Sequence, residues 1–484
     1  MSGSSFTRRK LVSGIPSVGL GLALGACFAP VRASIFSADP DVIVVGAGGA
    51  GLAAALAAAE AGASVLVLEK QSEIGGNTRV SGGYFACVDP KRQSRMGIED
   101  SEDLFLTQLI ASGGSAADPE LCRVLVANAG KTLLWLESHG MRFQDTVIEL
   151  YGSHWPRVHK PLMPMGEGYI HTLSGAAIRR GVRIRTKTPV TKLIVREGRV
   201  AGVVAGSDGE EIFAKRGVIL ASGGFGANRR MVAEVAPQLA GLTTSNQPGS
   251  TGEMLLAAKE AGAVLVGMPY IQCLPGCPPG RTHRVRLHND VSRFILVNAQ
   301  GKRFIREDGR RDVLRDAVLA LPERYAYSIV DDEGLRSYNI VFQKETVIGI
   351  ETGDAWRGDS IAELATAMGL PPEALERTVE RYNEGVRQGH DEVDKAPAVL
   401  RYELKTPPFW ACYVGMTVHY TMGGMRISPR AEVLRADGSP IPGLYAAGEA
   451  TGGVHGVNRM GANGINDAVV FGRIAGTSAA GNGP

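Results

Sequence analysis

The segment that most constrains the fold of this chain runs from Asp41 to Glu69. Asp41-Val-Ile-Val-Val45 is a β-branched run suited to a buried strand. It turns through Gly46-Ala-Gly48-Gly-Ala-Gly51 into an alanine-rich helix reaching Ala61, and a second strand, Ser64-Val-Leu-Val-Leu68, ends in Glu69. A glycine pattern alone is weak. Set between strand and helix, with an acid closing the next strand, it predicts a dinucleotide-binding unit in an α/β fold. Gly46 turns the chain, Gly48 lets a pyrophosphate approach the helix N-terminus, and Glu69 accepts hydrogen bonds from ribose hydroxyls.

The 484 residues are 44% hydrophobic and 21% charged, a globular composition long enough for more than one domain. The 63 glycines follow no collagen-like period, so they read as turns and ligand-hugging loops. Residues 1–33 hold Arg8, Arg9, Lys10 and Arg32 and no acid, so their removal takes the net charge from +3 to −1. A near-neutral chain without a lysine-rich block gives no case for nucleic acid. The basic start and the short apolar run Leu11 to Ala26 predict an export signal. The Arg8-Arg9 pair resembles a twin-arginine signal, which leads to the periplasm. Cleavage after Ala33 and lipidation at Cys27, within Leu24-Gly-Ala-Cys27, both stay open. No later segment is apolar enough over a sufficient length to span a bilayer. The six cysteines form no dense disulfide scaffold, and no Cys-x-x-Cys-His motif for covalent haem occurs. Cys273 and Cys277 are spaced to pair, to bind metal, or to remain ordinary thiols.

A second glycine-rich loop, Gly75-Gly76-Asn77-Thr78-Arg-Val-Ser81-Gly82-Gly83, separates flavin from nicotinamide. It suits a long cofactor lying extended with its isoalloxazine deep in the protein. A strand from Val190 to Val195 leads to a hairpin around Gly198 and Gly206, and Val218-Ile-Leu-Ala-Ser-Gly223-Gly224 is another strand-to-glycine crossover. Near the end, Gly443-Leu-Tyr-Ala-Ala-Gly-Glu449 runs into Thr451-Gly-Gly-Val-His-Gly-Val-Asn-Arg459-Met-Gly-Ala-Asn-Gly464-Ile465. An arginine inside such a turn offers a planar fork for a carboxylate.

With these motifs in this order, the chain resembles the fumarate reductase/succinate dehydrogenase flavoprotein family over nearly all of residues 39–476, and most of all its soluble periplasmic enoate reductases. The resemblance implies a Rossmann-like FAD-binding domain from 39–269 and 420–484, with an inserted α+β capping domain at 270–419. It implies reduction of an activated C=C bond, with hydride from flavin N5 and a proton from arginine. That proton donor falls on Arg311, within Gly301-Lys-Arg-Phe-Ile-Arg-Glu-Asp-Gly-Arg-Arg311. His419, in His419-Tyr-Thr-Met-Gly-Gly424, and Arg459 fall on the positions that hold the substrate carboxylate. Ala50, Asn77, Thr78, Gly83, Glu253, Tyr420, Glu449, Gly464 and Ile465 fall where the family holds the flavin, joining Gly46, Gly48, Gly51, Glu69, Gly82, Val190 and Gly223. An ordinary arginine pKa exceeds ~12, so Arg311 as an acid requires an anionic transition state and a proton resupply.

The cap departs from the family pattern. In Tyr270-Ile-Gln-Cys-Leu274-Pro275, leucine stands where the family has a histidine for a second carboxylate. Counting back from Ile295-Leu-Val-Asn298, the family's proton-relay Glu and Arg fall on Leu287 and Asp290, with His288 between them. A carboxylate at Asp290 would repel a dianion, so the expected substrate is a monocarboxylate enoate of cinnamate or urocanate type rather than fumarate. Asp290, with His288, is the candidate replacement relay. The loop Thr78 to Gly83 has no histidine, so FAD is expected to be non-covalent, and electrons are expected from a separate cytochrome or quinol-linked donor. Two alternatives stay open: a dehydrogenase forming the C=C bond, and an electron-carrying flavoprotein without turnover of its own.

Overall fold

In the computed structural model the described residues are 39–150, 152–281 and 283–481. The targeting expectations on residues 1–33, with Cys27 and Ala33, lie outside them. Val42–Val45, Val65–Leu68 and Gly217–Leu220 are buried at every position, as strands covered on both faces must be. Val42 aligns with Val65 on one side and Gly217 on the other, both parallel. The sheet they centre runs Glu432–Leu434, Pro440–Ala446, Gly217–Leu220, Val42–Val45, Val65–Leu68, Arg183–Arg185. All its pairings are parallel except that of Glu432–Leu434 with Pro440–Ala446. The hairpin read around Gly198 forms from Val190–Arg196 and Arg199–Ala205.

The nucleotide helix, Gly49–Glu60, is buried from Gly49 through Ala58 because a second helix, Asn463–Ala479, lies against it. Alanine and glycine make this approach possible. A Cβ on Gly472 would meet the Ala50 carbonyl at 2.5 Å, and one on Gly476 would meet that of Ala54 at 2.1 Å. Residues increase together along both contacts, so the helices run parallel. Neither has a side-chain cap at its N-terminus.

A second sheet is built on the long strand Phe409–Thr421. Ile271–Gly276, Ala326–Val330 and Ala355–Gly358 pair with it antiparallel, and Thr243–Thr244 pairs with it parallel. The strand continues unbroken past residue 419, so His419 and Tyr420 share one element, and Thr243–Thr244 ties segment 39–269 to the same sheet. The loop leading from Ile295–Val297 to the helix Arg311–Leu319 is pinned by a buried charge cluster. Arg303 bonds both oxygens of Glu307, at 3.0 and 2.8 Å, and both of Asp391, while Lys395 lies 3.4 Å from Glu307. All four side chains are at most 1% exposed.

Candidate active site

The nucleotide turn has the geometry a dinucleotide requires. Gly46 has φ +103°, and a Cβ there would strike the Ala221 carbonyl at 2.5 Å. A Cβ on Gly51 would lie 1.9 Å from the Gly46 carbonyl, whereas one on Gly48 would meet only the Gly75 carbonyl, at 3.8 Å. The open space at Gly48, before an uncapped helix start, is a cradle for phosphate. Glu69 holds the turn: its carboxylate accepts from the N–H of Ala47 and of Gln71, each at 2.8 Å. The remaining lone pairs of both oxygens are left for a ribose.

The second glycine loop is fastened to the first. Thr78 Oγ1 accepts from the Gly49 N–H at 3.1 Å. Asn77 donates to Asn246 at 2.6 Å and to Glu449 at 3.1 Å, and accepts from the Gln247 N–H at 2.8 Å. Its side chain therefore knits three segments together. Glu449 also accepts from the Thr421 N–H at 3.0 Å; burial raises its carboxyl pKa against the pull of these bonds. Gly83 (φ +74°) packs under the Met165 carbonyl, where a Cβ would sit at 2.0 Å, and Gly82 lies against the Tyr84 ring. Gly223 has φ +75° beyond Gly217–Leu220, Val190 begins its hairpin strand, and Ala50 lies in the first turn of the nucleotide helix. Gly464 and Ile465 occupy the first turn of Asn463–Ala479, a second uncapped helix N-terminus. Glu253 stands apart from these, in an ion pair with Lys70 at 2.9 Å beside Glu69. Two uncapped helix starts, an open Gly48 and an acid ending the second strand fit an elongated FAD.

Beside this cradle the three expected substrate residues meet around a residue that sequence reasoning quoted but gave no role. Gln272, 1% exposed, accepts at Oε1 from Arg459 Nη2 at 2.8 Å and from Arg311 Nη1 at 3.2 Å. Its amide donates to Asn458 Oδ1 at 3.1 Å and to the Arg459 carbonyl at 2.8 Å, which fixes the Oε1 orientation. The two guanidinium nitrogens on that oxygen lie no more than about 6 Å apart, a repulsion of about 3 kcal/mol at an effective dielectric near 20. A neutral amide relieves little of it. The arrangement favours an anion.

Each cation is positioned by its own element. Arg311 opens the helix Arg311–Leu319, and Arg315, one turn on, donates to the Ile271 carbonyl at 2.8 Å. That bond fixes the helix to the residue before Gln272. A cation in a first helical turn is opposed by the dipole, so helix stability alone does not account for it. Arg459 is 6% exposed; its guanidinium stacks 4.6 Å above the Tyr420 ring, and its Nε has no partner among the described residues. Burial holds its pKa below the ordinary arginine value. Tyr420 donates to Asp467 at 3.2 Å, and burial drives its own pKa well above ordinary.

His419 is aimed by a bulge. Gln272 aligns with Tyr420 and Cys273 with Val418, so His419 is the extra residue of its strand. Its Nδ1 lies 3.0 Å from Ser245 Oγ. Burial first, then the charges of Arg459, Arg311 and Arg284, hold its pKa well below 6.5. The ring is neutral at pH 7. Ser245 and Arg284, like Asn458, were passed over by sequence reasoning: the first sits in a polar loop without motif, the second in a Pro-, Arg- and His-rich stretch without periodicity.

Of the residues at the family's relay positions, one is apolar and the other bonds within its own turn. Leu287 is fully buried in the core, and Asp290 Oδ1 accepts from the Ser292 N–H and hydroxyl at 2.9 and 2.6 Å. Cys273 and Cys277 are free thiols, and no metal-binding cluster occurs among the described residues. A surface recess of about 570 Å³ lined by Glu376, Arg387 and Lys405 shares no lining residue with this site.

Comparison with known proteins identifies the family. The FAD binding domain family matches residues 41–465. The chain is 36% identical to the probable fumarate reductase Ifc3 of Shewanella frigidimarina (strain NCIMB 400), over 92% of this chain and 75% of that one. It is 36% identical to a urocanate reductase of Eggerthella lenta, with the same two coverages. Against the NADH:fumarate oxidoreductase of Klebsiella pneumoniae (strain 342) it is 37% identical over 91% of this chain, which spans only 47% of that relative. The open conformation of a flavocytochrome c3 fumarate reductase superposes with TM-score 0.75 at 35% identity, covering 92% of this chain and 79% of that one. A 3-ketosteroid-Δ4-(5α)-dehydrogenase from Rhodococcus jostii RHA1 superposes with TM-score 0.76 at 28% identity, over 93% and 99%. The chain belongs to the FAD-binding flavoprotein oxidoreductases that act on C=C bonds, the family of the fumarate and urocanate reductases.

Proposed function

We propose that this protein reduces the C=C bond of an α,β-unsaturated monocarboxylate, an aryl or alkyl acrylate rather than fumarate. The observation that carries the reading is the pair Arg311 and Arg459 on the single neutral oxygen of Gln272, beside the neutral His419. Reduced FAD supplies the hydride that reaches the carbon β to the carboxylate. Arg459 and His419 hold that carboxylate, the guanidinium by paired N–H donors and the imidazole by one. The Ser245 hydroxyl, 3.0 Å from Nδ1, orients the ring so that Nε2 is the nitrogen left for the substrate. Arg311 delivers a proton to the α carbon, and the products are a saturated carboxylate and oxidised cofactor. Gln272 holds both guanidinium groups in place throughout, so little reorganisation accompanies the charge that develops. Leu274, in the place of a second anion-binding side chain, faces an uncharged part of the substrate.

A separate cytochrome or quinol-linked donor reduces the cofactor in this reading, and the arginine pair in residues 1–33 directs export to the periplasm. FAD is held without a covalent bond, since Thr78 to Gly83 offers no histidine; acid precipitation should release it into the supernatant. No helix among the described residues is long and apolar enough to cross a membrane.

The test is turnover of an enoate panel by viologen-reduced holoenzyme. Cinnamate or another mono-enoate should be consumed faster than fumarate. Fumarate outrunning every mono-enoate would end the monocarboxylate reading. The likeness to a ketosteroid dehydrogenase favours one competing direction; bleaching of the oxidised flavin by a 3-ketosteroid, with no enoate turnover, would establish it.

A further inference from the structure

Besides Arg459 Nε, the buried polar atoms without hydrogen-bond partners among the described residues include Arg284 Nε and His288 Nδ1. Both belong to the irregular stretch between Cys277 and Arg293. Arg284 is anchored where it matters. Its Nη2 donates to the Pro275 carbonyl at 2.7 Å, on the strand Ile271–Gly276 that also carries Gln272. Pro275 lies three residues beyond Gln272, about 10 Å along an extended strand. Leu274 falls on the same face as Gln272, between the two positions, and pairs with Thr417.

The charges around Arg284 do not satisfy it. Glu345, the nearby carboxylate, is held bidentately by Arg286. Cys277 and Cys412 are kept neutral by burial, which pushes both thiols up. Burial and then Arg286 lower the Arg284 pKa itself, and burial with Arg284 and Arg286 brings His288 down to about 3. No ion pair to Arg284 occurs among the described residues; its hydrogen bond is to a neutral carbonyl. A partly buried guanidinium whose Nε is left in this state is costly unless a ligand completes it.

We propose that Arg284 is a specificity-determining residue that binds an acceptor or anionic group at the far end of the substrate, with Leu274 against an apolar middle and the reacting carboxylate at Arg459. This rests on the enoate reading above and amends it: the reacting C=C bond carries one carboxylate, and a second anionic group is accepted only at the far end, beyond Leu274. The substrate class is an elongated acrylate, such as a cinnamate bearing a para carboxylate or hydroxyl. Fumarate, with two carbons between its carboxylates, does not reach both ends.

The experiment measures Kd by perturbation of the flavin absorbance of oxidised holoenzyme, for 4-carboxycinnamate, 4-hydroxycinnamate and cinnamate. Wild type should bind 4-carboxycinnamate at least tenfold more tightly than cinnamate, with the hydroxy compound between. In Arg284→Gln that ratio should fall to within threefold of one, and Arg284→Lys should restore part of it for the carboxylate. A wild-type ratio near one, or a ratio that survives in Arg284→Gln, overturns the proposal. Should Arg284→Gln fail to fold, the wild-type ratio and Arg284→Lys decide it. Enoate turnover by reduced enzyme without para-group preference sinks this inference alone; absence of any enoate turnover sinks the parent reading with it.

Discussion

Two groups of buried arginines in this molecule differ in what faces them. Arg303 meets two carboxylates and shares one of them with Lys395, all essentially without exposure. Arg459 is also removed from water and Arg284 is partly so, with its Nε buried, yet their hydrogen bonds go to a glutamine oxygen and to backbone carbonyls. The first arrangement is complete and pins the loop that leads to Arg311. The second is incomplete and ready for an anion. Burial of an arginine is thus no sign of function by itself; the informative observation is whether the protein supplies the counter-charge.

The contrast is broken most severely by removing a clamp. Arg459→Ala should lower kcat/KM for every enoate by ~10³-fold, the loss of a charge-assisted bidentate contact, while FAD content stays at one per chain. Equal kcat/KM in the variant would assign Arg459 to the structural group. In the other cluster, Asp391→Asn should cost about 3–5 kcal/mol in denaturant unfolding, because it leaves Arg303 underpaired. Its kcat at a temperature where the fold persists should stay within twofold of wild type. The reverse exchange sharpens the point. Gln272→Glu converts the site into the structural kind, with a carboxylate between Arg311 and Arg459, so enoate turnover should fall ~10²-fold with no loss of thermal stability. Retained turnover would show that the cations need no vacancy for an anion.

The smallest effect is one of pH. His419 has a folded pKa well below its unfolded value near 6.5. Its neutral form is native, so its contribution is full above that pH. As pH falls below 6.5 the unfolded chain gains a proton the native ring refuses, and stability declines by about 1.4 kcal/mol per unit. His419→Gln should flatten that slope between pH 6.5 and 5. An unchanged slope would place the titration elsewhere.

Much of this was legible in the sequence where local pattern and fold agree. The strand–glycine–helix unit, the Val190 hairpin and the glycine turn around Arg459 are short-range features, and each forms as read. Long-range features were not legible. That His419 is a bulge residue depends on its partner strand, and the parallel contact of Gly472 and Gly476 with Ala50 and Ala54 depends on a helix from the far end of the chain. That the Asn77 side chain joins Asn246, Gln247 and Glu449 likewise depends on segments far along the chain. Gln272 carried no charge to draw notice. Arg284 stood in a stretch without periodicity, and only the Pro275 carbonyl places it.

The most direct measurement is a single turnover. Holoenzyme is reduced, freed of excess reductant and mixed with cinnamate in a stopped-flow instrument, for wild type and Arg311→Ala. Flavin reoxidation should be fast in wild type and at least ~10³-fold slower in Arg311→Ala, with both forms binding cinnamate when oxidised. Reoxidation at equal rates would contradict the account.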